Sequence, residues 1–198
     1  MRIDINNKMN QTDLIKDTKS KFLNKYNKNR CVNTAFKVSI NAAVQHNKIY
    51  SSHASIKDKE DIRDEWGKEL IRLGEKFHEN ISIEEYQLFV VKLKDHMNLK
   101  FGKLFDSKSK HGSMFRISHS QKSISVFVKH LWCMDVISEP NICPVDRIIL
   151  RKTEAKKNND ISWGYVNSIE EHERKFKYIQ KQAKLKQLRV AVWELLSF

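Results

Sequence analysis

Apolar residues recur at helical spacing along most of the chain, and hydroxyl or amide residues stand where the runs begin. Thr12 precedes DLIKDTKSKFLNKY, in which Leu14, Phe22 and Leu23 fall roughly on one face. Asn33 precedes TAFKVSINAAVQHN, where Phe36, Ile40 and Val44 follow an i, i+4, i+8 stripe. A polar link, KIYSSHAS, leads into KDKEDIRDEWGKELIRLGEKF, whose Ile62, Trp66, Leu70 and Leu73 share a face. Ser82 with Glu85, Ser118 with Gln121 and Ser168 with Glu171 have capping-box spacing, and each marks a helix start. The chain closes on LRVAVWELLSF. No period-2 alternation is sustained and no internal repeat is present. The pattern predicts an all-α chain of about eight helices.

Composition narrows this picture. The 198 residues suit one domain, or two small helical lobes around a shared core, and 40% hydrophobic residues are enough to build it. Five Gly and two Pro are too few for the many turns of an all-β protein. The 37 Lys and Arg against 24 Asp and Glu leave a net charge of +13, which points to a polyanionic partner, with nucleic acid first. Cys31, Cys133 and Cys143 are too few and too scattered for a disulfide framework or a four-Cys metal site. His46 and His53 add no metal-ligand spacing to Cys133 and Cys143, so no metal and no cofactor are expected. The opening MRIDINNKMNQTDLIKD lacks the apolar core of a signal peptide, and no run approaches a membrane span. The expectation is a soluble, cytoplasmic monomer.

Both prolines, Pro140 and Pro144, fall between two residues with chemical potential, Lys122 and Asp146. Ile124, Phe127, Val128 and Leu131 form the buried stripe predicted for the helix after Ser118. Lys122, Val126, Lys129 and Cys133 lie on the other side, a mixed face suited to a cleft wall. Lys122 falls in the predicted first turn, where the helix dipole favours a neutral, nucleophilic amine over an ammonium. The ordinary alternative is a solvated surface lysine. Asp146 has the position of an N-cap for RIILRKT, and a capping carboxylate also stabilises a nearby cation. From Lys122 to Asp135 a helix advances about 20 Å. The link VISEPNICPV spans up to roughly 33 Å when extended, and proline keeps it extended. It can therefore return Asp146 to Lys122.

The segment 116–153, with Lys122-Ser123-Ile124, Val128-Lys129, Pro144-Val145-Asp146 and Thr153, resembles the catalytic segment of the helix-hairpin-helix DNA glycosylases, the endonuclease III superfamily. It is most similar to the archaeal 8-oxoguanine glycosylase branch. INAAVQHNKIY, DEWGKEL and VAVWELL resemble other helices of that branch more loosely. The resemblance implies a two-lobed helical fold with duplex DNA in the cleft between the lobes. It implies Lys122 as the amine that attacks C1′ of a flipped nucleotide and Asp146 as the assisting carboxylate. Base release by this pair would produce an imine that permits strand cleavage, as in bifunctional glycosylase/lyases.

The chain also departs from the branch. The hairpin before Lys122 reads RISHSQK, without glycine, so Ser118, His119 and Ser120 are the expected phosphate contacts, aided by Lys108, Lys110 and His111. Lys129 and Arg147 complete the expected DNA-binding set. Val126 stands where an aromatic stacks on the base, and Arg189 stands four residues before Trp193 in place of an acid. The expected base pocket comprises Gln45, Trp66, Val126, Trp163 and Trp193, although the ordinary role of any one Trp is to anchor the core. The departures touch base recognition and spare the attacking pair. They leave open a lesion other than 8-oxoguanine, or a hypermodified base of phage DNA. Two non-enzymatic alternatives are a nucleic-acid-binding helical module and a protein-binding helical domain.

Overall fold

The computed structural model describes residues 5–45, 49–79, 81–105 and 114–198, with side chains from residue 10 onward. Among these residues the chain is all-helical. It comprises α1 (Ile5–Tyr26), α2 (Val32–Val44), α3 (Ile56–Lys76), α4 (Ile83–Phe101), α5 (Ile117–Cys133), α6 (Arg147–Leu150), α7 (Ile169–Leu185) and α8 (Val190–Ser197). Two short 3-10 turns, Gly102–Leu104 and Glu154–Lys156, follow α4 and α6. An isolated antiparallel bridge joins Tyr50 to Phe105.

α5 is the axis of the molecule. All seventeen of its residues are buried, because α1, α2, α3, α4 and α7 pack around it. The mixed face expected to line an open cleft is therefore covered, with Lys122 and Val126 the most exposed at 7% and 8%. The most extensive packing is against α2, whose buried residues include Ala35, Ser39 and Ala43 at four-residue spacing. Small side chains let two helices approach closely; α5 itself carries the buried Ser120, Ser123 and Ser125. Trp66 from α3 lies over this region and donates its Nε1–H to Ser123 Oγ at 3.0 Å.

Several helix starts differ from expectation. Ser82 and Glu85 do form a capping box, and Ser168 caps α7 by accepting from Glu171 N–H. Thr12, however, lies inside α1, because no Gly or Pro interrupts that helix; Leu14 is half-exposed. α2 begins a residue before Asn33. The buried Asn27 side chain grips both backbone groups of Cys31 and sets the start there. α5 starts at Ile117, where Arg116 N–H donates to His119 Nδ1. Ser118 is thus not a cap, and Lys122 lies in the second turn, beyond most of the dipole's reach.

With five glycines in the chain, other residues take the left-handed positions that end helices. Asp135 and Gln187 adopt φ of 58° and 56° just after α5 and α7. In each case the next amide reaches back five residues, Val136 to Leu131 and Leu188 to Ala183, closing a Schellman turn.

Two of the glycines serve packing. A Cβ on Gly74 would lie 2.7 Å from Phe127 Cε1 and 3.1 Å from Leu131 Cδ1, both locked in the core. Gly74→Ala is expected to cost about 1 kcal/mol net, because overpacking by ~1–3 kcal/mol outweighs the ~1 kcal/mol gain in helix propensity. Gly67→Ala meets only the half-buried ring of Phe36, which can move aside, and should be neutral or stabilising. Urea denaturation of the two variants checks the contrast.

The buried apolar residues form two clusters. The larger surrounds α5 with residues of α1–α4 and α8. The smaller joins Cys143, Val145, Ile149, Leu150 and Ala155 to Phe176, Ile179 and Ala183 of α7 and to Trp193.

Candidate active site

Where the two clusters meet, the chain brings Lys122 and Asp146 together. The link after α5 is fixed at both ends. At its start, Lys19 of α1 donates to Trp132 O at 2.9 Å and to Asp135 Oδ1 at 2.7 Å. At its end, the buried side-chain amide of Gln121 donates to Val145 O at 2.9 Å and accepts from Val145 N–H at 3.3 Å. Gln121 thereby holds the residue before Asp146 one position away from Lys122. Asp146 Oδ1 caps α6 by accepting from Ile149 N–H at 2.9 Å, and its Oδ2 accepts from Lys122 Nζ. The side chains of the pair are 9% and 8% exposed.

Above the pair opens a cavity of about 360 Å3, lined by Ala42 and Gln45 of α2, Arg147 and Ile148 of α6, and the loop Ser162, Trp163, Gly164 and Tyr165. Lys122 Nζ lies 5.7 Å from the Trp163 ring centroid. That loop is clamped to the start of α5. Ser118 N–H donates to Val166 O at 2.9 Å, and Ser118 Oγ and Arg116 Nε donate to Gly164 O at 2.8 and 3.2 Å. Asp160, just upstream, is held by Arg174 at 3.0 Å and by the buried Lys175. The result is an amine, a carboxylate and an aromatic wall preset around one concavity.

The expected site residues distribute unevenly around this cavity. Lys122, Asp146, Arg147, Gln45 and Trp163 line it. Trp66 and Trp193 are 0% and 5% exposed and anchor the two clusters. Val126 is buried and does not line the cavity. Ser118, His119 and Ser120 are fully buried, and the Ser118 amide already bonds to Val166 O, so these residues offer no solvent-facing phosphate contact. Lys129 is likewise buried and pairs with Glu194 at 2.7 Å between the rings of Phe22 and Phe198, which removes it from a DNA surface. Lys108, Lys110, His111 and His46 lie outside the described residues. The contributors that sequence reasoning missed are Gln121, Glu194 and Tyr165. The first two had no local signal, whereas Tyr165, two residues from Trp163, could have been found as part of an aromatic pair.

Burial dominates the electrostatics beneath the site. It pushes the Glu194 carboxyl upward against the opposing pull of Lys129. It pushes the Cys143 thiol well above its ordinary range and the Cys133 thiol to about 12, so both remain protonated and inert. Among the described residues, Glu65, Glu69 and His96 could offer metal ligands within 4.8 Å of one another. Those carboxylates are already engaged by Lys100 at 2.9 Å and Arg72 at 2.6 Å, and they belong to α3 and α4 rather than to the cavity.

Comparison with known proteins finds no matching family model, no similar curated protein and no similar solved structure. No described helix is long and apolar enough to cross a membrane.

Proposed function

We propose that the chain is a DNA N-glycosylase with lyase capacity, in which Lys122 is the nucleophile and Asp146 its partner. The observation that carries this reading is the buried Lys122–Asp146 hydrogen bond at the floor of a cavity walled by Trp163. An enclosed amine paired with a carboxylate suits attack on a sugar carbon better than it suits surface adhesion. The meeting of two hydrophobic clusters at the cavity supports a two-lobed arrangement around it.

The proton on Lys122 Nζ passes along the hydrogen bond to Asp146 Oδ2. The freed lone pair forms the N–C1′ bond while the C1′–base bond breaks, and the base leaves with that electron pair. Asp146 returns that proton to the departing base, and the carboxylate so regenerated opposes the positive charge now on the nitrogen bound to C1′. The bound nitrogen then passes one of its two protons to the ring oxygen as the C1′–O bond breaks, the nitrogen lone pair forms the C=N bond, and a protonated imine remains. Trp163, beside Lys122, provides the face on which a flipped base stacks. Gln45 is the side-chain amide on the cavity wall that can bond to a base edge.

The test is reductive trapping. Borohydride added during incubation with host or phage genomic DNA should fix the protein to DNA through Lys122, as peptide mapping reads. Mass spectrometry of released bases should identify the base and separate repair from defence against modified phage DNA. Lys122→Gln should abolish the adduct. Base release without any adduct would remove the lyase step alone. Neither release nor adduct from any modified DNA would remove the enzymatic reading and leave a nucleic-acid-binding module.

A further inference from the structure

The start of α5, where phosphate contacts were expected, is buried and its Ser118 amide is taken by Val166. A DNA-binding site must therefore find its cations elsewhere. The 147–157 segment carries five of them, Arg147, Arg151, Lys152, Lys156 and Lys157, and all five are exposed. Arg147 lines the cavity, and Arg151 lies one helical turn beyond it, with its N–H bonded to Arg147 O at 3.0 Å. The 3-10 turn Glu154–Lys156, capped by Thr153, continues the segment directly from α6.

Two features distinguish this segment from scattered surface lysines. Its one acid, Glu154, is already neutralised from α7 by Lys181 at 2.7 Å, and Asp160, just beyond it, by Arg174 and Lys175. None of the five cations enters an ion pair among the described residues. Five like charges within eleven residues repel one another, and an anionic partner relieves that repulsion. The second feature is apolar. Ile148 and Tyr165 are 53% and 51% exposed on the cavity rim beside Arg147, so the positive ridge meets the cavity through surface that can face nucleobases.

We infer that the 147–157 segment is a phosphate-binding ridge that holds the DNA strand flanking the nucleotide at the Lys122–Asp146 cavity. The inference rests on the nucleic-acid reading of that cavity. The ridge contacts backbone alone and carries no sequence preference, because its side chains are flexible cations without a fixed hydrogen-bonding frame.

The experiment measures binding to an unmodified 30-base-pair duplex by fluorescence anisotropy between 50 and 200 mM salt. The ridge variant replaces Arg151, Lys152, Lys156 and Lys157 with Ala, leaving Arg147 in place because it lines the cavity. Each phosphate contact contributes about 0.9 to the slope of log affinity against log salt. The ridge variant should therefore lose roughly 2–4 from that slope and at least about tenfold in affinity at 50 mM salt. A control variant removes four exposed lysines elsewhere, Lys68, Lys76, Lys92 and Lys103, for an equal change in net charge. It should keep the wild-type slope to within one contact. Equal losses in the two variants would show diffuse charge and overturn the ridge, as would an unchanged slope in the ridge variant. In either case wild-type binding leaves the nucleic-acid reading standing. A wild type without salt-dependent affinity overturns both.

Discussion

Asp146→Asn is expected to reduce base release by about 10^3-fold while lowering the melting temperature by only a few degrees. The carboxylate has two separable jobs in this structure. Oδ1 caps α6 through Ile149 N–H, and an amide oxygen performs that job nearly as well. Oδ2 accepts from Lys122 Nζ, and an amide there neither takes the proton of the attacking amine nor opposes the positive charge on the nitrogen bound to C1′. Removing one partner of a fully buried ion pair costs ~3–5 kcal/mol. Lys122, however, sits at the floor of an open cavity, where water can solvate the orphaned ammonium, so about 1–2 kcal/mol is the expected loss. That corresponds to roughly 2–8 °C in a chain of this size. The measurements are single-turnover base release and a thermal melt on the same preparation. Retained release with collapsed stability would reduce Asp146 to a helix cap.

Acid is expected to begin destabilising the protein above the range where carboxylates titrate. Three histidines are buried as neutral rings. His130 and His172 are pushed down to about 4 by burial, and His119 well below its ordinary value by burial with Arg116 adding. The unfolded chain holds protons on all three below ~6.5, whereas the folded chain takes them up on His130 and His172 only at about 4 and resists protonation of His119 as well. Stability contributed by these groups is thus full above ~6.5 and is lost as pH falls from there towards 4. Three protons amount to about 4 kcal/mol per pH unit. Glu139 and Glu194, pushed upward by burial, act in the opposite sense and trim the net slope to about one to three protons. A domain with ~5–15 kcal/mol of stability then loses most of it by pH 4–5. Urea denaturation at several pH values reads the slope directly. His130→Leu gives the sharper test, since both ring nitrogens of His130 lack hydrogen-bond partners among the described residues. It should flatten the slope by about one proton and raise stability at pH 5. A slope unchanged in that variant would assign the acid sensitivity to other groups.

The residue-level contrasts follow from the same burial pattern. Lys122 and Lys129 are seven residues apart on one helix, and both pair with a carboxylate from a distant element. Only Lys122 meets a cavity. Lys129 lies between Phe22 and Phe198, where the pair with Glu194 joins α5 to α8. Similarly, three tryptophans are candidate base platforms in the sequence, Trp163 the weakest of them, but Trp66 and Trp193 are enclosed by the two clusters while Trp163 is carried on a clamped loop.

The sequence by itself determined the helical class, the buried face of α3, the Ser82 cap and the reach of the link from α5 to Asp146. These depend on periodicity, local hydrogen bonding and chain length, all properties of residues close along the chain. The tertiary structure alone decided that α5 is covered on every side, that its first turn is closed by Val166, and that Gln121 grips Val145 rather than forming a cap. It alone separated Lys122 from Lys129 and Trp163 from Trp66. A mixed helix face has the same pattern whether a solvent-filled cavity or another helix lies against it. What fills that space comes from other elements of the chain, and their arrangement is set by how the whole set of apolar faces packs.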